Sequence, residues 1–79
     1  MEARLTMEYD RASDVLYLGK IKPYAGQETE ELEFGVIARR NPTTGEIENL
    51  EILSFSIRAA DGKVFELPVI AEFHPADVA

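Results

Sequence analysis

The stretch Gly35–Leu53 limits what this chain can fold into more tightly than any other part of it. It reads GVIARR, then NPTTG, then EIENLEIL: two runs of strand-forming residues on either side of a turn. Pro42 presets φ for the first corner of a type I turn, and Gly45 can take the positive φ needed at its exit. A four-residue loop, Pro42–Gly45, pairs Asn41 with Glu46. Counting back, Arg39 falls opposite Glu48, Ile37 opposite Leu50 and Val36 opposite Glu51. Opposite charges and apolar side chains thus meet across the ladder, and a β-hairpin is the first expectation.

More strands are expected on both sides. Ala3, Leu5, Met7 and Tyr9 alternate with Arg4, Thr6, Glu8 and Asp10, the period of a half-buried strand. The turn formers of Asp10–Asp14 follow, then a second strand over Val15–Ile21; loops of three, four or five residues all fit between the two. Pro23 and Gly26 interrupt the pattern. Glu28–Glu33 is rich in helix formers, but it is short for a helix and lacks a stop signal before Phe34. We read it as a short edge strand whose carboxylates deter aggregation. Beyond the central hairpin, the second strand is expected to run past Leu53 into Phe55 and Ile57. A turn at Ala60–Gly62, with a bulge at Gly62, then returns the chain with Ile57 opposite Phe65, Phe55 opposite Leu67 and Leu53 opposite Val69. The rival two-residue Asp-Gly loop sets Ile57 against Glu66 and Phe55 against Pro68, a poorer match. Phe65, Leu67, Val69, Ala71 and Phe73 continue one face, and the tail from His74 to Ala79 is expected to fray.

Strand following strand through short turns predicts a mainly β fold, a small antiparallel β-meander of about five to six strands. Seventy-nine residues make one domain, 1–79, with its core over about 3–73. Several strands carry apolar residues on both faces: Leu16 and Leu18 against Val15 and Tyr17, Leu50 and Ile52 against Leu53 and Phe55. A sheet wetted on one side has no need of this. Either the sheet curls into a small barrel or two copies pack their sheets face to face. The chain has no Cys and one His, so it builds no disulfide, no thiolate metal site and no His-based zinc site. Small cores need some such support, which favours a homodimer.

The formal charge of −7 opposes nucleic acid, whose binding rests on Lys and Arg neutralising phosphates, and it opposes anionic lipid. A small basic protein remains a compatible partner. No run is apolar enough for a signal peptide or a membrane span, and a cytoplasmic location is expected.

Two segments carry a family resemblance. Tyr9-Asp10, then Asp14-Val15-Leu16-Tyr17-Leu18, is similar to a YDxxxDxLYI opening. Thr29–Val36, then Gly45-Glu46-Ile47 and Leu50–Leu53, resembles the body of the DUF2283 family, small bacterial domains of unknown function. The match covers roughly residues 7–55. The resemblance implies a compact β-rich domain and no established reaction, cofactor or catalytic residue. Some members are encoded beside small toxin-like proteins, which implies an antitoxin or partner role. Ala38-Arg39-Arg40 departs from the acidic residues that many members carry there, so a carboxylate site in relatives does not transfer.

The candidate chemistry is sparse. Asp10 and Asp14 flank a turn and could pair on a cation or in acid–base work; capping the turn is the simpler account. Glu31 and Glu33, on one face of a strand, could hold a hard cation between them; a solvated edge is the simpler account. Arg39 and Arg40 alternate in direction, which weakens a shared anion site, and pairing of Arg39 with Glu48 accounts for one of them. His74 has no nucleophile in its neighbourhood, Tyr9 and Tyr17 read as half-buried sheet aromatics, and no phosphate-binding glycine motif is present. The expectation is therefore a non-catalytic interaction module without a cofactor. A small-ligand or divalent-cation binder is the alternative, and a carboxylate-dependent hydrolase ranks last.

Overall fold

The computed structural model describes residues 4–76. Five strands, β1 (Thr6–Asp10), β2 (Val15–Gly19), β3 (Glu28–Glu33), β4 (Val36–Arg40) and β5 (Ile47–Leu53), precede one short helix, α1 (Phe55–Ala59). The strands form a single open antiparallel sheet in the order β1-β2-β5-β4-β3. The fold is mainly β, as the alternation predicts, and the sheet does not close into a barrel: β1 and β3 are its edges. Ala3, at the start of the first expected strand, and the last residues of the tail, 77–79, lie outside the described residues. No helix among the described residues is long and apolar enough to cross a membrane.

Two of the three hairpin loops, β1–β2 and β4–β5, share one construction. Asp10 pairs with Val15, so the first loop has four residues, Arg11–Asp14. The second also has four, closed by Asn41 N–H donating to Glu46 O at 2.8 Å. In each loop the residue before it bends the chain with its own side chain. Asp10 Oδ1 accepts from the amides of Ala12 and Ser13 (3.0 and 3.4 Å), and Asn41 Oδ1 from those of Thr43 and Thr44 (2.8 and 3.1 Å). In each, the last loop residue is left-handed: Gly45 at φ +76° and Asp14 at φ +57°.

The register of the central hairpin differs from the one expected. Arg40 pairs with Ile47, as counted from the loop, but Glu48 is then an extra residue, a β-bulge, and Arg39 pairs with Asn49 rather than Glu48. Beyond it Ile37 faces Glu51 and Val36 faces Ile52. The reason is hydrophobic. Without the bulge Val36 would share its face with Glu51, whereas the one-residue slip moves Leu50 and Ile52 onto the face of Ala38 and Val36. Two rows then cross the sheet on that face: Tyr9, Leu16, Ile52 and Val36, and Met7, Leu18, Leu50 and Ala38. Leu16, Ile52, Val36 and Ala38 are buried, Val36 and Ala38 completely. The opposite face carries Val15, Tyr17, Leu53, Glu51, Ile37, Asn49 and Arg39, of which only Val15 and Asn49 are buried.

Glu28–Glu33 is the edge strand expected, and a bulge at Leu32 interrupts its ladder with β4. The hairpin expected beyond β5 is not formed. β5 stops at Leu53, Ser54 turns left-handed at φ +53°, and Phe55 and Ile57 enter α1 instead of prolonging the strand. A competing local bond set explains the exit. Phe55 N–H donates to Asp14 O at 3.1 Å, and the amides of Ile57 and Arg58 close a helical turn on Ser54 O (3.1 and 3.2 Å). The expected turn at Ala60–Gly62 exists as the end of this helix, with Gly62 at φ +68° donating to Ala59 O at 3.1 Å. No returning strand pairs with β5 over residues 63–76. The alternation read there holds for burial only in part: Leu67 and Val69 are half-buried and Val64 and Ile70 are 94% and 99% exposed, but Phe65, Ala71 and Phe73, on the expected inner face, are exposed as well. The ring of Phe55 lies 5.8 Å from Tyr9 and 6.3 Å from Phe65, which starts this segment on the side of Leu16 and Ile52.

Ile52 sits where the apolar rows are most completely enclosed. Ile52→Ala is expected to lower unfolding free energy by about 2–5 kcal/mol, whereas Val64→Ala should stay within roughly 0.5 kcal/mol; urea denaturation followed by circular dichroism measures both.

Candidate functional site

Polar side chains converge at two ends of the sheet. At the first, Asp14 ties the β1–β2 loop to α1. Its Oδ1 accepts from Tyr9 Oη at 2.6 Å and from Ser56 N–H at 3.0 Å, and its Oδ2 from Ser56 Oγ at 2.7 Å. The Tyr9 hydroxyl, then the Ser56 hydroxyl and amide, hold the Asp14 carboxyl below its ordinary pKa of 3.8. The same hydrogen bond, together with desolvation, raises Tyr9 above 10.0. A left-handed aspartate is uncommon; here the conformation aims the carboxylate at Tyr9 and Ser56. Arg58 completes the tie from the other side of α1, donating to Leu53 O at 3.3 Å and to Phe34 O at 2.5 Å.

At the second end, the chain leaving β2 must pass β5 and β4 to reach β3. Asn49 pins that crossing. It is 7% exposed, donates through Nδ2 to Ile21 O at 2.7 Å and accepts from Gln27 Nε2 at 2.7 Å. Because Glu48 is the bulge residue, two consecutive side chains of β5 reach the same segment. Glu48 accepts from Tyr24 Oη at 2.8 Å, from Gln27 Nε2 at 3.1 Å and from Asn41 Nδ2 at 3.3 Å. Desolvation is the largest influence on Glu48 and pushes its pKa up. The bonds from Tyr24, Gln27 and Asn41, with the charge of Lys20, outweigh it and leave the pKa below 4.5. The hydrogen bond to Glu48 raises Tyr24 above 10.0. Gly19, opposite Asn49 in the ladder, is required here: a Cβ at 19 would collide with Asn49 Nδ2.

Between these ends the less buried face is concave. A cleft of about 600 Å³ lies between Lys20–Pro23 and the sheet, where Tyr17, Glu8 and the Arg39–Glu51 ion pair line it. A second, of about 410 Å³, opens beside Phe34, Leu53, Ile57 and Glu31. Phe34 is 91% and Ile57 73% exposed at its rim.

The structure separates the candidate carboxylates. Asp10 caps its loop and Asp14 clamps α1, so each serves different donors. Glu31 Oε2 accepts from Gly35 N–H at 3.3 Å. The bulge at Leu32 breaks the strict alternation that would set Glu33 beside Glu31. Arg39 pairs with Glu51 and Arg40 with Glu30 at 2.8 Å, so neither arginine uses Glu48. His74 stands 3.8 Å from Glu72 near the end of the described chain. Among the described residues no group of three or more His, Cys, Asp or Glu is placed to hold a metal ion. Sequence reasoning missed Asn49, Glu48, Gln27 and Ser56. The one signal was the presence of an asparagine in a strand, since strands are depleted in Asn; it marks the position and gives no partner.

Two outcomes follow. Asn49→Ala removes the bonds to Ile21 O and from Gln27 Nε2 and is expected to cost about 1–3 kcal/mol, with hydrogen exchange accelerating first over 20–27. Since folding lowers the Asp14 pKa, its stabilisation is present above the unfolded value and disappears as pH falls through the folded one. Acidification below about pH 4 should therefore release α1 before the sheet. Asp14→Asn should remove that step when NMR shifts of Ser56 are followed against pH.

No family model matches this chain, and neither a curated protein nor a solved structure is significantly similar to it.

Proposed function

We propose that this chain is a cytoplasmic, non-catalytic interaction module, of the DUF2283 kind that its motifs resemble. In this reading it associates with itself and offers its acidic side to a small basic protein, as an antitoxin does. The observation that supports this most is its surface. The chain exposes 6351 Å², whereas a compact monomer of 8.8 kDa exposes about 4,800 Å². Its radius of gyration is 13.5 Å against about 11.6 Å for a compact chain of this length. The excess is more than the ~800 Å² each partner contributes to a standard interface.

The side facing a basic partner is the one around Phe34 and Ile57. There an apolar centre is flanked by Glu31 and Arg58, and the net charge of −7 draws a cationic protein toward the molecule. Phe34 is a suitable anchor: it is nearly fully exposed, sits at the tight β3–β4 turn beside left-handed Gly35, and supports no core residue.

Tagged protein purified from its native host at physiological salt should retain a stoichiometric small basic protein, and Phe34→Glu should lose it while keeping the circular dichroism of the parent. Preparations that repeatedly hold no partner, or retain it equally in Phe34→Glu, count against this reading.

A further inference from the structure

The two edges of the sheet are unlike. β3 is guarded: four of its six residues are glutamates, and a bulge at Leu32 breaks its line. These are the devices by which edge strands avoid pairing. β1 is less guarded. It is unbulged against β2, contains no Pro or Lys, and carries two carboxylates, Glu8 and, at its end, Asp10. Its apolar residues lie on the face of the buried rows, yet they are exposed: Leu5, Tyr9 and above all Met7, at 71%. The backbone groups on the outer side of β1 have no strand to pair with.

We propose that two copies join β1 to β1 in antiparallel fashion, about a two-fold axis on Met7, making one continuous ten-stranded sheet. This rests on the self-association proposed above and names its surface. A two-fold perpendicular to the sheet keeps each face continuous, so only residues of the same parity can face each other. With the axis on Met7, Arg4 faces the second copy's Asp10, Leu5 its Tyr9, Thr6 its Glu8 and Met7 its Met7. Opposite charges meet at both ends and apolar residues in the middle. Asp10 is free for this: its loop uses Oδ1 alone. An axis on Glu8 sets two glutamates against each other, and one on Thr6 shortens the matched ladder to Arg4–Glu8. The apolar rows Tyr9–Leu16–Ile52–Val36 and Met7–Leu18–Leu50–Ala38 then run unbroken from one copy into the next.

The absence of cysteine makes the test clean. Directly opposed residues in antiparallel strands have Cα atoms about 4.5–5.5 Å apart, within the range a disulfide spans. Met7→Cys should therefore form a covalent dimer under mild oxidation at micromolar concentration at least tenfold faster than Phe34→Cys. Glu8→Cys, off the axis, should be slower than Met7→Cys. Met7→Lys, which opposes two ammonium groups on the axis, should weaken dimerisation roughly tenfold by sedimentation velocity, with the circular dichroism unchanged because Met7 supports no buried residue. If the wild-type chain sediments as a dimer but Met7→Cys crosslinks no faster than Phe34→Cys, the edge pairing is wrong and self-association through another surface stands. A wild-type chain that stays monomeric at these concentrations overturns the edge pairing and self-association together.

Discussion

The bulge at Glu48 is the constraint on which the rest of the structure depends. An unbulged hairpin would satisfy the loop Pro42–Gly45 and still place Val36 and Ala38 among polar residues of β5. One additional residue reconciles the two demands: the loop keeps its closing pair, and the far half of β5 turns its apolar side to the core. The same residue brings Glu48 and Asn49 to bear on the segment that crosses from β2 to β3. Core register and the path of the crossing are thus set at one place in the chain.

A second local contest decides where the sheet ends. Strand propensity favours continuing β5 through Phe55 and Ile57, and α1 has five residues, too few to be stable alone. Asp14 tips the balance by engaging Ser56 through its carboxylate and Phe55 through its carbonyl. Asp14 and Ser56, 42 positions apart, thereby help to determine that the described residues form five strands and leave residues 63–76 without a ladder partner.

These two contests mark the boundary of what the sequence made legible. The mainly β class, the charged edge over Glu28–Glu33 and the four-residue loop at Pro42–Gly45 follow from period and turn chemistry, which are local. The slip of register past Glu48 does not, because it is driven by which side of Ile37, Val36 and Leu50 the distant rows occupy. Nor does the exit at Ser54, because its cause lies at Asp14. Alternation over 65–73 was a guide to burial only at Leu67 and Val69, and a poor guide to pairing: part of an extended segment can be half-buried without hydrogen-bonding to a sheet. For the site, Asp10 was legible as a loop cap. Asn49 and Glu48 were not, since their partners Ile21, Gln27 and Tyr24 reach them only through the crossing that the strand order imposes.

The guarded β3 edge has a consequence for the size of any assembly. A sheet with two receptive edges can recruit neighbours without limit and become a fibre. In the proposed pairing one border would accept a twin and the other, with four glutamates, would refuse one. Growth would halt once a single junction had formed, leaving both outer margins of the doubled sheet negatively charged and available to a cationic protein from either side.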